Sequence, residues 1–219
     1  MKCANWFVVV GALVVATAVP AKAQGEERKE VQGYFAGGYV APQGRADEFL
    51  NDGWNISAGA IIRPLPGKPL GVRVDFGFSH MDASTGAINF ANTSGLRADD
   101  GFVNMTNLTA EVLWEFGSPD KIGGYVGLGM GGYRRYAALT STALVSGIYC
   151  DPWWGWCYPT TVVGDVITQD DKLTKFGYSA SAGLTFPAGH GEMYLEARYH
   201  YMVSSPATEY IPILLGYRF

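Results

Sequence analysis

The sequence predicts an all-β protein: eight antiparallel strands, running up and down, closed into a transmembrane barrel with long extracellular loops and short periplasmic turns. Three observations carry the prediction. The closing stretch alternates: Ile211, Ile213, Leu215, Tyr217 and Phe219 are large and apolar, while Pro212, Gly216 and Arg218 between them are small or charged, Leu214 being the exception. A period of two marks a strand whose faces meet different surroundings, and a terminal strand this apolar would aggregate if left in water. The composition is the second observation: 29 glycines, 14% aromatics and 16% charged residues in 219, where a soluble domain carries about 25% charged residues. Third, nothing after the first two dozen residues forms the run of roughly 18 apolar residues that a spanning helix needs.

Residues 1–23 read as a secretory signal peptide. Lys2 supplies the positive start, Trp6 to Val19 the apolar run, and Ala21-Lys22-Ala23 the small-residue cleavage site. Losing Lys2 and Lys22 takes the formal charge from −4 to about −6, the wrong sign for nucleic-acid binding. Cys3 leaves with the leader, so Cys150 and Cys157 face an oxidising compartment and can pair. Residues 24–30 are a short charged periplasmic segment, and 31–219 form the barrel.

Strand one is expected over about Val31–Val40, with Phe35, Gly37 and Tyr39 outward, followed by a polar loop from Pro42 to Gly53. Strand two, about Trp54–Arg63, sets Trp54, Ile56, Ala58, Ala60 and Ile62 against Asn55, Ser57, Gly59 and Arg63. A Pro/Gly turn leads to strand three, Leu70–Ser79, where Val72, Val74, Phe76 and Phe78 oppose Arg73, Asp75, Gly77 and Ser79. A second loop covers His80 to Gly101, and strand four, about Asn104–Phe116, sets Leu108, Ala110, Val112 and Trp114 against Asn107, Thr109, Glu111 and Leu113.

After the turn at Gly117-Ser118-Pro119 comes strand five, Ile122–Tyr136, with Val126, Leu128 and Met130 against Tyr125, Gly127, Gly129, Gly131, Tyr133 and Arg135. A long third loop is expected from Ala137 to Leu173. Strand six, Thr174–Phe186, strand seven around Met193–Tyr201 and the closing strand complete an even count. Long and short connections alternate, as extracellular loops and periplasmic turns do in bacterial barrels. Aromatics gather near strand ends, Trp114, Phe116, Phe186, Tyr217 and Phe219 at one and Trp54, Phe78, Phe176, Tyr199 and Tyr201 at the other, as two interfacial girdles require.

A soluble lipocalin-like barrel shares the period but is apolar inside. The glycines decide between them. Gly127, Gly129, Gly131, Gly177, Gly183 and Gly216 share the polar face with Ser179 and Ser181, and an eight-stranded interior is only just wide enough for side chains. That face is therefore the inside. With YVGLGMGGY at 125–133, YLEARYHY at 194–201 and the closing IPILLGYRF, the chain resembles the small outer-membrane β-barrels, such as the transmembrane domain of outer membrane protein A. The resemblance covers Val31 to Phe219. It implies a place in the bacterial outer membrane, contact with its lipid and lipopolysaccharide, delivery by the barrel-assembly machinery with Phe219 as sorting signal, and a monomer. The periplasmic peptidoglycan-binding domain common in that family is not expected here.

The expected lumen charges are Arg63, Arg73, Asp75, Glu111, Arg135, Lys175, Glu196, Arg198, His200 and Arg218. In so narrow a space they must pair, either as a plug that fixes register or as the lining of a narrow porin-like path. His200, Ser204 and Glu209 resemble the histidine–serine–acid set of outer-membrane lipid A deacylases. However, Ser204 is four residues after His200, about 13 Å along a strand, and a triad needs hydrogen-bond reach. The third loop carries Cys150-Asp151-Pro152-Trp153-Trp154-Gly155-Trp156-Cys157. A disulfide there closes the tip, and Trp153, Trp154 and Trp156 either bind an extracellular ligand or pack on one another or the leaflet. Two cysteines make half a zinc site at best. The GxGxxG-like spacing at 127–132 lies within a strand, out of context for a dinucleotide. No metal, cofactor or catalysis is expected. The predicted role is structural or surface-interactive.

Overall fold

The computed structural model describes residues 30–65, 68–117, 121–150 and 156–219. The expected leader and most of residues 24–30 lie outside the described residues, as do Trp153 and Trp154. The strands are β1 (Val31–Gln43), β2 (Leu50–Ile62), β3 (Leu70–Ala83), β4 (Asp100–Phe116), β5 (Gly123–Cys150), β6 (Cys157–Ala188), β7 (Gly191–Met202) and β8 (Thr208–Arg218). Each pairs antiparallel with the next, and β8 returns to β1, so the barrel is closed with no crossovers. Closure leaves no sheet edge within the ring, which lipid would not tolerate.

The faces fall as the period of two dictates. Phe35, Ile56, Val74, Phe76, Leu108, Val112, Leu128, Met130, Ile213 and Leu215 look outward, while Tyr34, Asn55, Arg73, Asp75, Thr109 and Glu111 are buried within. An apolar outside around a charged inside excludes the lipocalin-like alternative. The inner glycines have a steric reason. A Cβ at Gly183 would lie 2.5 Å from the Tyr125 ring, and one at Gly216 would lie 2.4 Å from that of Tyr194. Each glycine stands directly opposite its tyrosine in the register. The tyrosine ring takes the space over the bare backbone of the neighbouring strand that a side chain would otherwise need.

Three expectations about loops need correcting. Strand β1 runs on to Gln43 and β2 begins at Leu50, so the first connection is shorter than Pro42–Gly53 and includes a 3-10 turn at Gly44–Ala46. The second contains a helix, α1 (Thr85–Thr93), capped by the Ser84 hydroxyl, which accepts from the Ala87 amide. The third, expected as loop from Ala137 to Leu173, is paired strand almost throughout: β5 and β6 continue, with one register shift between Leu139 and Thr140, to Cys150 opposite Cys157. Beyond the bilayer both faces of a strand meet water. The hydrophobic period fades there although backbone pairing persists.

Strand β4 accompanies β5 only as far as Asp100 opposite Thr140, and β7 leaves β6 at Gly177 opposite Met202. Ten residue pairs, Ser141–Val166 to Cys150–Cys157, therefore form a free two-stranded ribbon. At about 3.3 Å per residue it reaches about 33 Å past the neighbouring strand.

Candidate functional site

Alternation turns every second residue of β3, β4, β7 and β8 into the lumen, and two sets of charges meet there. In the middle of the barrel Arg73 of β3 donates to Glu111 of β4 and to Glu196 of β7. Arg198 of β7 reaches Asp75 at 2.7 Å and Glu196 at 2.5 Å. Hydroxyls complete the set: Ser179 donates to Glu111 at 2.6 Å, Tyr125 to Glu196 at 2.6 Å and Tyr34 to Asp75. Arg73, Arg198, Asp75, Glu111 and Glu196 are each at most 1% exposed.

Toward the periplasmic end Arg63 grips Glu115 with two bonds of 2.7 and 2.9 Å. Arg218 reaches Glu115 at 3.0 Å and Glu192 at 3.6 Å. The Tyr125 ring lies between the sets, with the Arg218 guanidinium 4.4 Å and that of Arg73 5.7 Å from its centre.

Apolar layers flank the central ions. Tyr34, Ile61, Leu113, Tyr125, Tyr194 and Leu214 pack on the periplasmic side. Val40, Met81, Met105, Tyr133, Met202 and Tyr210 close the extracellular side. Four buried arginines thus face five buried acids, Asp75, Glu111, Glu115, Glu192 and Glu196, among the described residues. Removing two ions from water is repaid only when their remaining hydrogen-bonding positions are also filled, which is why serines and tyrosines crowd this network.

Of the residues singled out in the sequence, Arg63, Arg73, Asp75, Glu111, Glu196, Arg198 and Arg218 lie in these two sets. His200 is buried beside them but makes no ion pair: its Nδ1 lies 2.9 Å from the Tyr133 hydroxyl and its ring stacks on Tyr210 at 4.7 Å. Arg135 sits at the rim, 3.1 Å from Asp171. Lys175 needs correcting: it has inward parity but is exposed. It stands where β6 has already outrun its neighbour β7, so no adjacent strand flanks it on that side.

Glu115 and Glu192 were missed. Glu115 continues the inward series Glu111, Leu113, so the period alone would have found it. Glu192 abuts a turn, where the pattern is too short to read.

The histidine–serine–acid set does not assemble. His200 points into the lumen, the Ser204 hydroxyl donates to the Pro206 carbonyl at 2.7 Å, and Glu209 accepts from Tyr199 at 2.7 Å. Phe219 is exposed at the barrel's lower rim. Its amide donates to the Gly33 carbonyl at 3.0 Å, and its ring covers Gly33, where a Cβ would lie 2.5 Å away.

The ribbon is the other distinctive surface. Its tip is closed by the Cys150–Cys157 disulfide. Leu144, Ile148 and Trp156 are each about three-quarters exposed. Asp165 is the one charged residue in 141–150 and 157–166.

No family model matches the chain, and no curated protein does. Among solved structures it is similar to Neisserial surface protein A (NspA), at 12% identity over 87% of this chain and 96% of that one, with a TM-score of 0.55. It is also similar, at lower TM-scores, to two others. One is the attachment invasion locus protein Ail of Yersinia pestis, solved with the heparin analogue sucrose octasulfate: 15% identity, 87% and 100% covered, TM-score 0.44. The other is the N-terminal β-barrel domain of Pseudomonas aeruginosa OprF: 14% identity, 87% and 98% covered, TM-score 0.41. The even strand count, the apolar belt and the ion-filled interior place the chain in a bacterial outer membrane. Its fold is that of the small eight-stranded outer-membrane β-barrels.

Proposed function

We propose that this is a non-catalytic outer-membrane protein whose barrel anchors the β5–β6 ribbon, through which the cell surface makes adhesive or recognition contacts. The observation that carries the reading is the ribbon itself: ten residue pairs clear of the ring, ending in a disulfide, with Leu144, Ile148 and Trp156 in water. Exposed apolar clusters on a rigid element mark binding surfaces, and tryptophan is enriched where binding energy concentrates.

The packed, ion-paired lumen supports an anchor over a narrow porin-like path, and the separation of His200, Ser204 and Glu209 supports the absence of catalysis. On this reading residues 1–23 take the chain across the inner membrane, the barrel-assembly machinery inserts it as a monomer with Phe219 as its signal, and no cofactor is involved. A whole-cell binding assay on extracellular matrix and host cells tests it. Replacing Trp153, Trp154 and Trp156 together by alanine should lower adhesion several-fold at unchanged surface abundance. Unchanged adhesion would remove the reading's main support.

A further inference from the structure

The lipid-facing side of β5 runs Gly124, Val126, Leu128, Met130 and Gly132 before it reaches Arg134. Ten residues at about 3.3 Å, tilted by about 40°, climb about 25 Å, the height of the apolar band of such barrels. Arg134 therefore emerges where hydrocarbon gives way to headgroups, on the ribbon side. It is exposed, and among the described residues it has no carboxylate partner.

Its neighbours in the register are Thr106 of β4 and Thr174 of β6, both of outward parity, so a guanidinium stands between two hydroxyl-bearing side chains. One step higher, Tyr136 pairs with Lys172, whose ammonium lies 5.2 Å from the centre of that ring. Diagonal cross-strand neighbours such as Arg134 and Lys172 have Cα atoms about 7–8 Å apart, a span one phosphate bridges. Lys172 also touches Asp170 at 3.0 Å, with both groups well exposed, a pair worth little in water and easily exchanged.

One step below Arg134, a Cβ on the outward-facing Gly132 would meet nothing within 4 Å, although Leu108 and Phe176 flank it in the register. That leaves a notch into the apolar belt directly under the cation. The β7–β8 seam differs: at its extracellular end Tyr199 is bonded to Glu209.

We infer that Arg134 and Lys172, with the Thr106 and Thr174 hydroxyls, form a site for the phosphorylated sugar headgroup of an outer-leaflet glycolipid, with an acyl chain descending past Gly132. The occupant is a lipid because the cations sit at the top of the hydrocarbon band with an apolar notch beneath them. It is a glycolipid phosphate because the ribbon side of the barrel meets the outer leaflet. The inference rests on the membrane placement and not on the ribbon's role.

The test uses the full-length barrel refolded in phosphatidylcholine nanodiscs doped with bis-phosphorylated lipid A, its dephosphorylated form, or phosphatidylglycerol, with bound lipid counted by native mass spectrometry. Heat-modifiable gel migration establishes that each variant is folded. The wild type should retain the phosphorylated glycolipid. Arg134→Gln with Lys172→Gln should weaken retention at least about tenfold, as expected for losing two charge-assisted contacts. Arg134→Lys with Lys172→Arg should largely restore it, and Lys68→Gln at a periplasmic turn should change nothing. Equal retention by the double glutamine variant, or of the dephosphorylated form, would overturn the site. Equal retention of phosphatidylglycerol would overturn its assignment to the glycolipid.

Discussion

Arg73 illustrates what a single side chain does in this lumen. It holds Glu111 of the adjacent strand and Glu196 from across the barrel. Removing it leaves two carboxylates buried without their shared cation, so Arg73→Ala should destabilise the folded barrel by about 3–5 kcal/mol, read as a lowered urea midpoint for the compact gel band. Replacing Arg73, Glu111 and Glu196 together by apolar residues of similar volume should cost less than the single change, because the Arg198–Asp75 pair at 2.7 Å remains balanced. Gly183→Ala tests a different force. Its new methyl would lie 2.5 Å from the Tyr125 ring, an overpacking that costs about 1–3 kcal/mol. The same urea series checks it, and an unchanged midpoint would mean the ring moves aside freely.

At the scale of the element, β5 and β6 each combine two regimes in one strand. Their lower halves pair with β4 and β7 in the ring, and their upper halves pair only with each other. Excising residues 143–164 and joining the strands by a two-residue turn should therefore leave the barrel's unfolding midpoint within about 0.5 kcal/mol of the parent, the usual range for surface changes. Reduction of Cys150–Cys157 should loosen only the tip. A staple across so short a loop is worth about 2–3 kcal/mol to the element it closes, so hydrogen exchange should quicken in the ribbon while the ring stays protected. Faster exchange throughout the ring would contradict that separation.

The molecule as a whole follows from one inequality: large apolar residues outside, charges and small residues inside. That much was legible, because Val72, Val74 and Phe76 alternate with Arg73 and Asp75, and alternation exists wherever two faces meet different media. The ribbon was not, because apolar residues in 140–150 fall on both parities, Ala143 and Val145 as well as Leu144 and Ile148, so no period of two shows although the pairing persists. Nor was the exposure of Lys175, since parity reports which way a side chain points and not whether a neighbouring strand still flanks it. The pairing of charges was legible as a necessity, but which arginine takes which acid depends on how far the sheet shears as it closes.

Two outcomes belong to this scale. Leu128→Arg, in the lipid belt, should cost about 2–4 kcal/mol of folding stability in bilayers, measured by denaturant titration in vesicles. The refolded protein should show no conductance above background in planar bilayers, since the central ions and the methionine layer of Met81, Met105 and Met202 occupy the axis. Steady single-channel currents would restore the porin-like alternative.

Three of the ion pairs join strands that lie diametrically opposed: Arg73 and Asp75 on β3 with Glu196 and Arg198 on β7, and Glu115 on β4 with Arg218 on β8. None of these bridges exists until the two ends of the sheet have met. An open, curled sheet keeps its neighbour-strand pairs, such as Arg73 with Glu111, but carries Asp75 toward fatty chains without Arg198, so half-built forms are driven either back to water or on to the finished ring. Assembly thereby proofreads itself, since only the closed ring completes the pairs that span it.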